Sequence, residues 1–310
     1  MRLRTVAVTA PAKVNLCLGV GPLRDGYHEL ATVYQAVGLY DRVTVNPAET
    51  ETTTISVHGD ARLSLDDVPT DETNIAFTAA RLLADYCGLP ADEAAVEIGI
   101  DKGIPVAGGL AGGSADAAAT LVACDTLWEM HTPREDLLRL AGELGSDVPF
   151  ALVGGTAIGS GRGEIVTPVM TRGDYWWVIL ESPVGLSTPA VYAEFDRVHA
   201  GRKVPSPGVP DALLSALRAN DVEGLAAALS NDLHAPACRL RPELEQLLQD
   251  GRDESAYASI LSGSGPSCLF LCEGRVHAMQ VAGALGGYGA GHVSFASGPV
   301  PGARITGLEH

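Results

Sequence analysis

The chain has 310 residues, 46% of them hydrophobic and 19% charged, which is the balance of a globular protein with one large domain or two of moderate size. Its formal net charge is −17, from 21 Lys and Arg against 38 Asp and Glu. This charge argues against a nucleic-acid-binding protein, which needs a basic face to neutralise phosphates, and no apolar run reaches the roughly 18 residues of a membrane helix.

In the first half of the chain, alternation of apolar and polar residues predicts strands, and apolar residues at helical spacing predict helices. The clearest helix prediction covers 74–87, because it ends at Gly88-Leu89-Pro90, a stop signal. A turn is predicted at 146–149, and the apolar segment 150–158 is predicted as a strand that two glycines interrupt. In chain order, the earlier predictions are strands at 5–9, 42–46, 53–57 and 95–100 and helices at 74–87, 114–130 and 133–144.

In the second half, the glycine-containing segment 159–163 is predicted as a linker, and 200–210 as a loop. Residues 307–310 resemble the remnant of an expression tag, so we leave them out of the fold. The remaining predictions are strands at 175–180, 267–272 and 291–296 and helices at 188–199, 211–218, 221–230, 241–250 and 275–286. This order predicts two mixed α/β lobes that meet near 160–175.

Cysteine usage and the N-terminus favour a cytoplasmic protein. The six cysteines form no Cys-x-x-Cys pair, and most of them lie in apolar stretches. We therefore expect reduced, buried thiols rather than disulfides or a metal site. Lys13 interrupts the apolar run near the N-terminus, so we expect no signal peptide.

The strongest functional motif is the glycine-rich loop 105–115, which lies between a predicted strand and a predicted helix. Its glycines, at 108, 109, 112 and 113, let the backbone approach a phosphate and direct N–H groups at it. The helix that follows adds about half a positive charge at its N-terminus. Ser114 is expected to cap that helix or to contact phosphate or Mg²⁺. The alternative is a tight turn with small residues for packing, although such a turn does not need four glycines.

Three further clusters are weaker when each is taken alone: 11–16 followed by 25–30, then 145–149, and then 261–267. Lys13 lies in an apolar strand, where burial without a partner is unfavourable, unless its amine reaches solvent. Tyr27 and His28 follow an Asp-Gly turn, and Asp147 lies in a turn where it would otherwise be a capping residue. The small-residue loop 261–267 precedes a predicted strand. For Tyr27 and His28 the alternative is simple packing beyond the turn, and the loop 261–267 is a weak functional signal by itself.

The clusters, in this order along nearly the whole chain, resemble the motifs of the GHMP kinase superfamily. Its first motif resembles 11–16, its phosphate-binding loop resembles 105–115, and its third motif resembles 262–267. Within the superfamily, PAKVNL followed by DGYHEL and later by GSDVP resembles the branch that phosphorylates a methylerythritol linked to cytidine diphosphate. The resemblance implies an ATP-dependent kinase that requires Mg²⁺ and acts in non-mevalonate isoprenoid precursor biosynthesis.

The resemblance also implies the residues that carry the chemistry. Asp147 matches the catalytic carboxylate and Lys13 its partner. This fits physically, because an ammonium keeps a carboxylate ionised and oriented to accept a hydroxyl proton. Asn15 shares the strand face of Lys13 and is expected to hydrogen-bond the same polyol.

For the substrate, the resemblance implies that Tyr27 stacks on cytosine, that His28 binds its edge and that Tyr192 closes the other face. Asn74 matches a residue near the adenine. We therefore expect a small-molecule cytidine diphosphate partner, no nucleic acid, no membrane, and a monomer or weak homodimer. The predicted ATP-binding residues are Pro105, Val106, Ala107, Gly108, Gly109, Leu110, Ala111, Gly112, Gly113, Ser114, Ala115 and Asn74.

The glycine-rich loop departs from the superfamily pattern, with Val106, Ala107, Ala111, Ala115 and Asp116 at positions that usually differ. Alanine replaces glycine without strain only where φ is negative, so we expect Ala107 and Ala111 to avoid positive φ. Ala115 stands where a second serine is usual, which leaves Ser114 as the predicted Mg²⁺ ligand. Asp116, in place of a usual asparagine, either repels phosphate or binds Mg²⁺.

The predicted fold is α+β, a two-lobed GHMP kinase fold. Its N-terminal lobe, 1–165, is expected to resemble a ribosomal-protein α/β domain, and its C-terminal lobe, 166–306, to be ferredoxin-like. One alternative is another GHMP kinase that acts on mevalonate, homoserine or a sugar. The other is a non-catalytic nucleotide-binding sensor, which the presence of both Lys13 and Asp147 disfavours.

Overall fold

The structure is a computed structural model that describes residues 5–60, 63–106, 108–182 and 184–309. Within these ranges the strands are β1 (Thr5–Arg24), β2 (Tyr27–Pro47), β3 (Thr54–Gly59), β4 (Val96–Lys102), β5 (Thr156–Ser160), β6 (Ile165–Pro168), β7 (Tyr175–Glu181), β8 (Ser230–Asn231), β9 (Ala258–Leu261), β10 (Cys268–Cys272), β11 (His292–Gly298) and β12 (Arg304–Glu309). The helices are α1 (Ile75–Cys87), α2 (Ala91–Ala94), α3 (Gly112–Leu127), α4 (Arg134–Leu144), α5 (Val148–Val153), α6 (Thr188–His199), α7 (Asp211–Ala219), α8 (Val222–Ala228), α9 (His234–Leu240), α10 (Glu243–Asp253) and α11 (Arg275–Gly287).

A long antiparallel hairpin of β1 and β2 forms the centre of the first sheet. Its turn is Asp25-Gly26, with φ angles of 50° and 84°, a conformation that glycine adopts freely and aspartate tolerates. The sequence predicts only the outer ends of this hairpin, at 5–9 and 42–46. The middle of β1 is buried on both faces, so it lacks the alternation that marks a half-buried strand.

The first sheet has the strand order β12-β1-β2-β4-β3, and β5, β6 and β8 pair alongside this path. At one edge β12 pairs with the start of β1, with Glu309 opposite Thr5 and Gly307 opposite Ala7. The exclusion of 307–310 from the fold is therefore wrong for 307–309, because the edge backbone of β1 gives them hydrogen-bond partners. His310 lies outside the described residues.

The second sheet, in the order β11-β7-β10-β9, is antiparallel, and α10 and α11 pack against it. Its strand β7 also meets the first sheet, where Trp177 and Ile179 share a hydrophobic cluster with Val33 of β2. The buried indole N–H of Trp177 donates to Gln35 Oε1 at 3.0 Å, so this junction leaves that polar group satisfied. The predicted two-lobed α+β fold is confirmed. None of the described helices is long and apolar enough to cross a membrane.

Two interpretations of the segment 148–163 are wrong. Helix α5 occupies 148–153, so the strand predicted at 150–158 begins only at Thr156, as β5. Pro149 lies in the first turn of this helix, and Gly154, at φ 64°, follows its last residue. A short apolar run does not distinguish a strand from a buried helix. The predicted linker 159–163 is instead the end of β5 and the turn into β6. Because β6 extends the first sheet to Pro168, the lobe boundary at 165/166 stays a prediction.

Candidate functional site

One cavity of about 780 Å³ brings together the residues predicted for catalysis and for substrate binding. It is bounded by the β1–β2 hairpin, the glycine-rich loop, the N-terminus of α5 and helix α6. The predicted residues that line it are Lys13, Asn15, Tyr27, His28, Asp147 and Tyr192. Positions far apart in the sequence therefore meet at one place, while the role of each stays a prediction.

A second cavity, of about 280 Å³, lies on the other side of the glycine-rich loop. Pro105, Gly112 and Gly113 line both cavities, so the loop separates them. Of the other loop residues, Val106 lines the smaller cavity, and Gly108, Gly109 and Ala111 line the larger one. Two cavities that share a glycine-rich loop suit a reaction in which two substrates meet.

Asn74 lines the smaller cavity, but its side chain also holds the start of α1. Its Oδ1 accepts a hydrogen bond from Ala76 N at 2.9 Å, and its Nδ2 donates to Pro69 O at 2.7 Å. Asparagine is a favoured N-cap residue, so this role alone accounts for its burial. A contact between Asn74 and adenine stays a prediction.

The glycine-rich loop packs against the small-residue loop 261–267. Gly109 has a φ of 76°, and a Cβ there would lie 2.3 Å from Ser262 O, so no larger residue fits. Ser262 Oγ donates to Gly109 O at 2.9 Å. On its other side, this second loop places Gly263 so close to Lys13 that an added Cβ would be 3.5 Å from Lys13 Nζ. The loop 261–267, weak as a sequence signal, therefore supports both the glycine-rich loop and the predicted catalytic lysine.

The glycine-rich loop enters α3 at Ala111, the N-cap residue, which has a φ of 62°. The expectation that Ala111 avoids positive φ is wrong, because the chain turns sharply into the helix here. Alanine has no side-chain oxygen, so the N–H groups of the first turn are left for a ligand. Ser114 is the third residue of α3 and therefore does not cap it, and it lines neither cavity. Leu110 and Ala115 are fully buried, and Ala107 lies outside the described residues.

Replacing Ala111 with glycine is expected to raise the free energy of unfolding by about 0.5–1 kcal/mol. An L-residue in the left-handed region is strained by roughly 1–2 kcal/mol, which outweighs the larger entropy that glycine gives the unfolded chain. Urea unfolding followed by circular dichroism measures the difference. The matched control is Ala212→Gly, on an exposed position of α7, which is expected to lower stability by about 0.5–1 kcal/mol. Equal losses in both variants would contradict the strain at Ala111.

Lys13 is buried, with 6% of its surface exposed, so the alternative that its amine reaches solvent is wrong. Its Nζ donates to Asn15 Oδ1 at 2.7 Å and lies 3.6 Å from Asp147 Oδ2. Asn15 Nδ2 donates to Thr32 Oγ1 at 2.8 Å, and Thr32 donates to Cys17 O at 2.6 Å. This chain of hydrogen bonds fixes the Asn15 amide, which in turn holds Lys13 beside Asp147.

Tyr34, which the sequence analysis does not identify, completes this group. Its ring centroid is 5.7 Å from Lys13 Nζ, and the side chain is almost fully buried. Burial first, and then the charge of Asp147 and a hydrogen bond to it, raise the pKa of Tyr34 well above its ordinary value. The phenol therefore stays protonated and donates to the Asp147 carboxylate. Tyr34 looks like any core aromatic in its apolar strand, so the sequence carries no signal for this role.

An aromatic wall closes the other end of the larger cavity. The rings of His28 and Tyr192 are stacked, with centroids 5.2 Å apart and an interplanar angle of 22°. His28 Nδ1 is 2.8 Å from Gly21 O, and its Nε2 is 3.4 Å from Asp196 Oδ1, so contacts on both sides orient the ring. Burial, followed by the charge of Asp147, raises the pKa of Tyr192 to about 12. Tyr192 therefore presents a neutral ring to the cavity.

Tyr27 occupies a different position from the other two rings. It is 58% exposed, and the Arg162 guanidinium lies 4.9 Å from the centre of its ring. Both residues line the larger cavity. Arg162 belongs to the segment that was predicted as a linker, so the sequence analysis does not identify this cation in the site.

A buried ion cluster of Asp41, Lys102 and Asp116 lies beneath the glycine-rich loop. Lys102 Nζ donates to Asp116 Oδ2 at 2.7 Å and also to Asp41 Oδ2. Asp41 Oδ1 accepts the backbone N–H groups of Gly103 and Ile104 at 2.7 and 2.8 Å. The cluster therefore fixes the point at which β4 leads into the loop.

The charges of this cluster determine the environment of Asp116, the acidic residue near the start of α3. Burial acts to lower the pKa of Lys102, but the charges of Asp116 and Asp41 outweigh it and raise that pKa. Burial and the charge of Asp41 raise the pKa of Asp116 well above its ordinary value. Lys102 pairs with Asp116 and so balances its charge within the cluster, while the role of Asp116 toward phosphate or Mg²⁺ stays a prediction. Its Oδ1 is buried without a hydrogen-bond partner, and the residue lines the smaller cavity.

The two sheets and the loop between the cavities define a kinase of the GHMP class. The sequence matches the family model described as GHMP kinases N terminal domain over residues 74–155, and that described as GHMP kinases C terminal over residues 213–291. A crystal structure of a homoserine kinase from Cytophaga hutchinsonii shares this fold with a TM-score of 0.74, at 20% identity over 97% of each chain.

Closer similarity is to one family within this class. A 4-diphosphocytidyl-2-C-methyl-D-erythritol kinase from Nocardioides sp. is 53% identical over 299 residues, covering 96% of this chain and 98% of the relative. A crystal structure of 4-(cytidine 5'-diphospho)-2C-methyl-D-erythritol kinase superposes with a TM-score of 0.74 at 33% identity, covering 94% of this chain and 98% of that one. The chain belongs to the 4-diphosphocytidyl-2-C-methyl-D-erythritol kinase family, which confirms the predicted resemblance.

Proposed function

We propose that the protein transfers the γ-phosphoryl group of ATP to the 2-hydroxyl of 4-diphosphocytidyl-2-C-methyl-D-erythritol, giving the 2-phosphate and ADP. The observation that carries the proposal is the larger cavity. It joins the Lys13–Asp147 pair to the aromatic wall of His28 and Tyr192 and shares its loop with the smaller cavity. Family membership over nearly the whole chain supports the same substrate.

In this proposal Asp147 accepts the proton of the attacking hydroxyl. Lys13, 3.6 Å away, balances the charge of the carboxylate and orients it. The Tyr34 phenol limits the movement of Asp147, and the Asn15 amide limits that of Lys13. In a loose phosphoryl-transfer transition state little base strength is needed, and positioning with charge neutralisation carries most of the effect. Lys13 also supplies a positive charge beside the loop, where negative charge on the transferred group must be neutralised.

ATP is proposed to occupy the smaller cavity, with its phosphates against the first turn of α3. The uncapped N–H groups there and the positive end of the helix dipole favour an anion despite the net charge of the chain. Mg²⁺ neutralises phosphate charge when it is bound, and it prefers oxygen ligands. Asp116, whose Oδ1 is unpartnered, lines this cavity and offers an oxygen that fits such an ion, whereas Ser114, the ligand predicted from the sequence, lines neither cavity.

The cytosine is proposed to lie against Tyr192 and Tyr27, and to exchange with Asp196 as the hydrogen-bonding partner of His28 Nε2. Stacking of one base on an aromatic ring contributes about 1–3 kcal/mol. Arg162, which lies over Tyr27, is placed to meet the diphosphate of the substrate. A cytoplasmic location and a monomeric or weakly dimeric state remain predictions from the sequence.

An assay of ADP release over a panel of acceptors tests the substrate. We expect turnover with the cytidylyl methylerythritol and none with mevalonate, homoserine or galactose. Tyr192→Ala is expected to raise KM for the cytidylyl substrate about five- to hundredfold, since one stacking face is lost, with a smaller change in kcat. The matched control, Tyr288→Ala, removes an exposed tyrosine outside the cavity and should leave KM unchanged. Turnover with another acceptor, or an unchanged KM for Tyr192→Ala, would overturn the substrate or the stacking, respectively.

A further inference from the structure

A second group of side chains with metal-binding chemistry lies at the corner between α9 and α10, outside the catalytic cavity. His234 and Cys238 are four residues apart on α9, so they project from the same face of the helix one turn apart. Glu245 is in the first turns of α10 and faces them. All six cysteines of the chain are free, but Cys238 is only half-buried, unlike the thiols that fill the core.

The three ligand atoms are already close together. His234 Nε2 lies 3.1 Å from Glu245 Oε2, and the two of them and Cys238 Sγ all lie within 4.8 Å of one another. Ligand atoms around a tetrahedral Zn²⁺, with bonds of about 2.0–2.3 Å, are roughly 3–4 Å apart. Small side-chain rotations are therefore enough to bring all three atoms onto one ion, with no change in the backbone.

The donor set selects the class of metal. A thiolate with an imidazole nitrogen and one carboxylate suits Zn²⁺, whereas Mg²⁺ and Ca²⁺ prefer oxygen ligands throughout. His234 is 30% exposed and Glu245 58%, so an ion can enter from solvent and a water can complete the tetrahedron. Arg252, with its guanidinium 3.6 Å from Glu245 Oε1, orients the free carboxylate oxygen from behind.

We propose that His234, Cys238 and Glu245 form a zinc-binding site. A bound ion would tie α9 to α10 more firmly than the contact between His234 and Glu245 that now joins them. Helix α9 begins directly after Leu233, a residue of the substrate cavity. Just before it, Asn231 Nδ2 donates to Gly263 O at 2.7 Å. The ion therefore stabilises the corner that supports both the substrate cavity and the loop 261–267.

Cobalt(II) titration of the full chain, prepared without a polyhistidine extension, tests the site. We expect one equivalent of Co²⁺ to give a thiolate-to-metal charge-transfer band and visible bands typical of tetrahedral coordination, and Zn²⁺ to displace it. Cys238→Ser should abolish the charge-transfer band. His234→Ala and Glu245→Gln should weaken Zn²⁺ binding by at least the tenfold to hundredfold that loss of an outer-shell partner typically causes. Cys87→Ser, which changes another half-buried thiol, is the matched control and should leave the titration unchanged.

Thermal unfolding gives a second measurement. Saturating Zn²⁺ should raise the unfolding temperature of the wild-type chain and of Cys87→Ser but not that of Cys238→Ser, because an ion that binds only the folded state stabilises it. A charge-transfer band that survives in Cys238→Ser would overturn the proposal. So would Zn²⁺ binding that is no weaker in His234→Ala and Glu245→Gln.

Discussion

Replacing Asp147 with asparagine is expected to lower kcat by a factor of about 10²–10⁴, the usual contribution of a positioned proton acceptor. Asparagine keeps the size of the side chain and an oxygen that can accept the hydrogen bond of Tyr34, so the shape of the site is retained. The negative charge facing Lys13 is lost, and with it the proposed acceptor for the hydroxyl proton. ATP affinity should change little, because Asp147 lines the larger cavity and not the smaller one.

Steady-state ADP release and calorimetric titration with a non-hydrolysable ATP analogue measure the two quantities separately. Asp101→Asn is the matched control, since that carboxylate is exposed, pairs with Arg42 at 3.6 Å and lies outside both cavities. It should leave kcat unchanged, because exposed ion pairs contribute little. Near-wild-type turnover in Asp147→Asn would remove this residue from the chemistry. A parallel loss of analogue affinity would indicate a damaged loop and not a lost proton acceptor.

The sequence predicts the parts of the fold whose patterns are local. Helix α1 begins and ends within a residue of its prediction, because an asparagine caps it and Gly88, at φ 67°, ends it. The length of the β1–β2 hairpin is underestimated, because strands that are buried on both faces show no alternation of apolar and polar residues. Helix α5 is mistaken for a strand because its apolar run is compatible with either structure. Packing against α3 and Pro149 in its first turn favour the helix.

The same distinction applies to the site. Residues that belong to contiguous motifs, such as Lys13 and Tyr27, line the larger cavity, and the sequence points to them because their neighbours identify the motif. Tyr34 and Arg162 are missed because their roles arise only from the residues that the fold brings beside them. Lys102 and Asp41 did leave a signal. Lys102 is the last residue of β4 and Asp41 lies within β2, and a charge that cannot reach water needs a partner elsewhere in the chain.

The ion cluster of Lys102, Asp41 and Asp116 carries the largest expected effect on the free energy of unfolding. Replacing Lys102 with methionine, which keeps the length of the side chain, should lower the free energy of unfolding by about 3–5 kcal/mol, because breaking a buried ion pair leaves an uncompensated charge. In Lys102→Met two carboxylates, Asp41 and Asp116, would face each other in the core without a cation. Urea unfolding at neutral pH measures the loss. Lys203→Met, which removes an exposed lysine, should stay within about 0.5 kcal/mol of the wild type.

The cause of that loss can be tested by adding a proton or removing a charge. The pKa of Asp116 is already raised in the wild type, and without Lys102 it should rise further, so the folded state of the variant binds a proton that the unfolded state releases. The stability of Lys102→Met should therefore increase as the pH falls from neutral toward the ordinary range of carboxyl pKa values. The double variant Lys102→Met with Asp116→Asn should recover about 1–3 kcal/mol at neutral pH, since it leaves Asp41 alone with its two backbone donors. The opposite result is a Lys102→Met variant that is equally unstable at neutral and at acidic pH and gains nothing from Asp116→Asn. The loss would then come from packing, and the three side chains would not be coupled through charge.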